Sequence, residues 1–258
     1  RHPAYFEPAA NRIVSHCDLQ EWGERLEAIR AEHRKLRAEL EVKQAEFARL
    51  YKGRDLHRVS EPIERTRAAL ASAEIKNNQM FAAATRLLFA QLYHEAFHAY
   101  LANFVYPARG PQPPRWLNEG LAQIFETAIL EGCELRVGHA DPVRLERASK
   151  AAPRGELVPL ADLLRSNAKH FLVAHDSDRL VSDRYYLTSW ALAFHLSFER
   201  RLLGTPELDR FIQRCHAGHD PIEAFEQLLG TPLSEFESAF HRYLIFLQPD
   251  GSVLRVMP

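Results

Sequence analysis

The sequence predicts a mainly α-helical fold with a small N-terminal β element, and three observations carry that expectation. Residues 18–52 place apolar side chains in an alternating three-four spacing over more than four heptads, and a second stripe follows it. Two further apolar helical segments, 81–106 and 116–130, flank a proline-rich loop, PARGPQPPR at 107–115. The last third of the chain is cut into short helices by Gly-Thr-Pro, Gly-His-Asp-Pro and a second Gly-Thr-Pro. Nothing suggests a doubly wound parallel sheet, and neither a GxGxxG nor a P-loop pattern occurs.

The elements follow in order. Residues 4–17 read as extended chain with a turn around Pro8–Asn11. In 18–52 the expected seam is Leu19, Trp22, Leu26, Ile29, His33, Leu36, Leu40, Lys43, Phe47 and Leu50. Lys52–Asp55, with Gly53, reads as a stop, and Ser60 with Pro62 as a new helix start. Ile63, Leu70, Ala73, Met80, Ala84 and Leu87 supply the partner stripe. An antiparallel coiled-coil hairpin results, each arm about 45–50 Å if straight. Its second arm leads towards the next helix, either continuously or with a break at Asn77–Asn78. Beyond the helix at 116–130, CELRVG (133–138) suggests a short strand, and Asp141–Ala152 and 157–167 suggest helices. Residues 170–183 read as an Asp-rich loop. Four further helices are expected at 183–203, 206–216, 221–229 and 233–247, before a tail at 248–258 that is either strand or disordered.

The string HEAFH at 94–98 lies in an uninterrupted helical segment between Phe81 and Pro107. On a helix, His94 and His98 share one face a turn apart, where two imidazoles can bind one metal ion. Glu95 beside them can reach a water on that metal, so the pattern points to metal-assisted hydrolysis of an amide bond. Two His ligands need a third protein ligand and an open position. Glu119, at the start of the second helix, can supply that ligand. Gln123 and Glu126 lie one and two turns beyond it, where a group orienting an imidazole belongs.

HEAFH followed by WLNEGLA (116–122) resembles the gluzincin type of zinc metallopeptidase. More narrowly, with YLTSWAL (186–192) and the terminal GTPLSEFESAFHRYL (230–244), the chain resembles an uncharacterised bacterial family of peptidase-like domains. That resemblance covers roughly residues 1–18 and 90–247. It implies a zincin-like catalytic domain formed by 1–17 and 90–247, with a C-terminal helical subdomain. The hairpin at 18–89 would be an insertion, and 248–258 a tail. It also implies one Zn2+ per chain, held by His94, His98 and Glu119, with Glu95 as general base. Tyr186, or alternatively Tyr185, would donate to the oxyanion. The substrate would be a peptide or protein, and the location extracytoplasmic.

Two rival readings remain: a non-catalytic zinc scaffold, and a helical interaction protein acting through its hairpin. The hairpin suits a homodimer contact, a partner-docking arm, or a self-contained brace. Composition narrows the field further. The formal charge of −1, from 33 basic and 34 acidic residues, offers no electrostatic case for nucleic acid or an anionic membrane as main partner. No apolar run reaches membrane-span length. Cys17, Cys133 and Cys215 have no metal spacing, and an odd number implies no disulfide framework. The remaining histidines show no ligand spacing and read as core or surface residues.

Overall fold

The computed structural model describes residues 4–15, 18–51, 57–107, 109–172 and 176–254. The expected stop at Lys52–Asp55, Cys17 and the end of the tail lie outside the described residues. The fold is mainly helical, and the chain divides into two compact units: Arg1–Ser15 with Ala90–Pro258, and His16–Phe89. The boundary falls inside one helix.

In the first unit, strand β1 (Ala4–Glu7) pairs antiparallel with β2 (Arg12–Ser15), Phe6 standing opposite Ile13. The turn between them closes on Asn11, which adopts φ 47°, a left-handed conformation that Asn tolerates better than most residues. Helix α2 (His57–Tyr100) carries the HEAFH segment, continues into a wider π turn over Leu101–Val105, and stops before Pro107. Helix α3 (Arg115–Phe125) begins directly after the paired prolines. It ends five residues earlier than its apolar spacing suggests. Ile129–Glu131 instead form strand β3, paired with β4 (Glu134–Arg136). The cause is the two-residue turn Gly132–Cys133, with φ 57° and 69°, which returns the chain as a hairpin. A short apolar run there is compatible with either period, and the turn decides.

Helix α4 (Pro142–Ala151) is capped by Asp141, whose side chain accepts from Arg144 N at 2.8 Å, with Pro142 at the first helical position. A short α5 (Leu160–Leu164) follows, then α6 (Asp176–Phe194), which continues into a second π turn at His195–Glu199. Helix α6 begins within the stretch 170–183 that reads as a loop. Asp-Ser-Asp at 176–178 is rich in residues suited to a helix start, so the same composition serves both readings. Helices α7 (Pro206–His216), α8 (Pro221–Leu229) and α9 (Leu233–Phe246) lie where the punctuation places them. After α9 the chain turns back, and Val253 bridges to Leu247.

The core of this unit is aromatic. Trp116, Trp190, Phe194, Phe211, Phe225 and Phe240 are each at most 1% exposed. Trp116 meets Phe211 and Phe225 at ring separations of 6.4 and 6.3 Å, which anchors the start of α3 to α7 and α8. Helices α3 and α6 touch at backbone distance. A Cβ at Gly120 would lie 2.3 Å from the Ser189 carbonyl oxygen and 2.8 Å from Ala193 Cβ, so only glycine fits there.

In the second unit, helix α1 (Leu19–Leu50) pairs antiparallel with the first part of α2, which runs unbroken through Asn77–Asn78. Leu40, Ile63 and Leu70 form its small core, with Phe47 against them. The heptad period is as expected, but its phase is turned. Leu26, His33, Leu40 and Phe47 face α2, whereas Trp22, Ile29, Leu36 and Leu50 are exposed, as are Met80 and Leu87. Half-buried Arg30 and Arg37 take the vacated seam positions. Their guanidinium groups reach Asn78 Oδ1 at 2.7 Å and Glu74 Oε2 at 2.6 Å, while their stems cover the seam.

Candidate metal centre

One helical turn on α2 sets His94 and His98 edge to face, ring centroids 4.7 Å apart, with their Nε2 atoms 3.0 Å from each other. Helix α3 brings in Glu119, whose side chain is 2% exposed. Its Oε2 lies 3.3 Å from His94 Nε2 and its Oε1 3.6 Å from His98 Nε2. One ligand atom from each residue falls within 4.8 Å of the others, so the group could hold a metal ion. Among the described residues it is the one such group of His, Cys, Asp or Glu.

The outward nitrogens are also occupied. His94 Nδ1 meets Glu126 Oε1 at 2.7 Å, and His98 Nδ1 meets Asn118 Oδ1 at 3.0 Å. Both partners are acceptors, so each ring places a proton on Nδ1 and turns Nε2 inward. Two imidazole nitrogens and a carboxylate then converge on one point, which requires a shared cation, either a proton or a metal ion. Without a metal the proton resides on His94. Burial works against its charge, but hydrogen bonds to Glu119 and Glu126 win and raise its pKa to about 9. Burial, assisted by the charge on His94, takes His98 down to about 4, so it stays neutral. Burial acts upward on Glu119 and Glu126, yet both carboxyls are held below their usual range, chiefly by hydrogen bonds from His94.

A second observation fits a cation at this point. Arg115 Nη2 stands 2.7 Å from Glu119 Oε1, yet it is misaligned for hydrogen bonding, and this buried oxygen has no hydrogen-bond donor. Arg115 supplies that oxygen with a positive neighbour, and a metal ion would supply the direct partner it lacks.

Glu95, on the next position of the same helical turn, lines a cavity of about 380 Å³ together with His94, His98, Glu119, Arg115 and Tyr186. The backbone N–H of Phe6 in β1 donates to Glu95 Oε2 at 2.7 Å, which anchors one oxygen of the carboxylate. Tyr186 enters from α6, its hydroxyl donating to Phe171 O at 3.4 Å. Burial and the charge of Glu119 push its pKa up, so it remains a donor. Tyr185 is not among the cavity's lining residues and lies against His170, the rings tilted at 39° with centroids 4.8 Å apart.

The two candidates for orienting an imidazole separate. Glu126 contacts His94, whereas Gln123 donates to the backbone carbonyls of Tyr186 at 3.0 Å and Glu119 at 3.3 Å, tying α6 to α3. Four contributors escape the sequence reading: Asn118 behind His98, Arg115 beside Glu119, the Phe6 amide on Glu95, and Arg144. The last reaches Glu126 Oε2 at 2.5 Å and extends the line from the metal point outward. Asn118 alone has a sequence signal, since it adjoins Glu119 in WLNEG.

No curated protein and no solved structure matches this chain. Residues 88–218, just over half of the chain, match a family described as a protein of unknown function, DUF1570. The match takes in His94, Glu95, His98, Glu119 and Tyr186 together, and the chain belongs to that family.

Proposed function

We propose that this protein is a zinc-dependent metallopeptidase of gluzincin type, cleaving a peptide or protein substrate. The observation that carries this reading is the convergence of His94 Nε2, His98 Nε2 and the Glu119 carboxylate in a cavity that also holds Glu95. The two Nε2 atoms lie 3.0 Å apart, and the two Glu119 oxygens approach them at 3.3 Å (Oε2 to His94) and 3.6 Å (Oε1 to His98). One ligand atom from each residue falls within 4.8 Å of the others, and these separations lie near the roughly 3.3 Å expected between tetrahedral ligands about 2.0–2.1 Å from one zinc ion. Two His, one carboxylate and room for a further ligand suit zinc better than the all-oxygen shells of calcium or magnesium.

A zinc ion held there would acidify a bound water and polarise the scissile carbonyl. The chain supplies the rest. Glu95 accepts the proton of the attacking water on a carboxylate oxygen and delivers it to the leaving amine. The Phe6 amide holds that carboxylate in place for both transfers. The Tyr186 hydroxyl donates towards the oxygen on which negative charge develops. Asn118 and Glu126 fix the ring orientations that keep both Nε2 atoms inward. Glu95 favours catalysis over mere metal retention, because holding the ion does not require it.

Purified protein should carry about one zinc per chain and cleave an unstructured peptide library in a chelator-sensitive way. Glu95→Gln should keep the metal and lose cleavage, and His94→Ala should lose both. Bound zinc without cleavage across diverse peptides would make this a metal-binding scaffold. No metal after careful handling would end the zinc reading.

A further inference from the structure

We propose that Arg115 forms a carboxylate-binding subsite beside the metal centre, so that the substrate presents a C-terminal or side-chain carboxylate next to the bond that is cut. The inference rests on the peptidase reading for its ligand being a peptide. Arg115 is the first residue of α3, one turn before Glu119. Its side chain is 44% exposed against 2% for Glu119, and it lines the cavity. Its guanidinium approaches both Glu119 and the Tyr186 hydroxyl. Five N–H donors sit on that planar group, more than one misaligned ion pair consumes.

The other polar walls have different occupations. The Gln112 side-chain amide donates to the carbonyls of Tyr106, Pro107 and Gly110, and so is spent on its own loop. Ala4, Phe6 and Ala102 present an apolar surface. A divalent cation on Glu119 would offset the charge that faces the guanidinium, and the cavity would then carry excess positive charge despite Glu95. An arginine fork matches a carboxylate through two parallel hydrogen bonds, which a neutral amide cannot return with equal strength. A ligand held there places its anion within reach of the reacting carbonyl.

The test uses cobalt-loaded Glu95→Gln protein and the visible absorption of the bound cobalt. Three N-acetylated tripeptides of otherwise equal sequence are titrated: a free acid, its C-terminal amide, and an amide carrying Asp in place of a neutral residue. One of the carboxylate-bearing peptides should half-saturate the spectral change at a concentration about tenfold or more below the neutral amide. Which of them does so identifies the source of the carboxylate. Adding Arg115→Gln should abolish the difference with cobalt stoichiometry unchanged, and Arg115→Lys should restore part of it. Equal response to all three peptides, or no response to any, overturns the subsite. So does cobalt loss in Arg115→Gln, which would make Arg115 a prop for Glu119. Hydrolysis by the protein with Glu95 intact is read separately. Carboxylate preference without cleavage would sink the peptidase reading and leave the subsite standing.

Discussion

Each imidazole at the metal point divides its nitrogens between an inward and an outward task, and the outward partner decides how well the inward one performs. Glu126 serves His94 and Asn118 serves His98. Removing the acceptor in Asn118→Ala, or the charge in Glu126→Gln, should weaken zinc about 10–100-fold in a chelator competition, with folded helicity retained. Arg144→Gln acts one step further out and should weaken zinc less than Glu126→Gln. Unchanged affinity in all three would show that the α2 spacing alone fixes the rings. That spacing is why His94, Glu95 and His98 were legible in the sequence: consecutive turns of one helix leave little else to determine. Glu119 was legible because metal chemistry demands a third ligand and a helix start offers a carboxylate. Arg115, Arg144 and the Phe6 amide were not, because their positions depend on how separate elements meet.

The same division holds among elements, where period is easier to read than phase or end point. In α1 the heptad spacing is evident, yet Leu26 and Leu40 are buried while Ile29 and Leu36 stay exposed. Leu40→Ala should therefore cost about 2–3 kcal/mol in denaturant unfolding, and Leu36→Ala less than about 0.5 kcal/mol. The reverse order would restore the simpler seam. No periodicity revealed that Arg30 and Arg37 would cross to α2 partners, since a long charged side chain reads as solvent-facing until its partner is placed. The end of α3 was hidden for another reason, a hairpin turn beyond it. Its packing on α6 is sharply testable: Gly120→Ala should destabilise by about 1–3 kcal/mol or more and lower metal content, because the Ser189 carbonyl cannot yield. The π turn after α6 buries His195 among Phe236, Phe240 and Tyr243, and burial lowers its pKa from 6.5 to about 4. Its neutral form is the one that folds. The associated stability is complete above pH 6.5 and falls away as pH drops towards 4, by about 3 kcal/mol in all. His195→Leu should flatten unfolding free energy across that window; an unchanged slope would assign the acid sensitivity to other groups.

At the scale of the whole molecule, the candidate metal centre belongs to one compact unit and the coiled coil to the other. Zinc at a free concentration 100 times its dissociation constant should stabilise the unit bearing the centre by about 2.7 kcal/mol, a gain that a chelator removes. A thermal transition indifferent to zinc would mean that the ion is not bound by the native fold. Among the described residues, no helix is long and apolar enough to cross a membrane. Charge balance was readable at this scale from composition alone, whereas the assembly of the cavity was not, because Phe6, Glu95, Glu119 and Tyr186 come from distant parts of the chain. That dispersal has a consequence in time. Synthesis runs from the N-terminus, so the HEAFH helix emerges well before Tyr186, and Trp116 awaits Phe211 and Phe225 to be covered. A nascent chain thus carries both histidines long before it has the walls that aim them, and the candidate centre is complete only once Tyr186 and the aromatic residues of α7 and α8 have joined it.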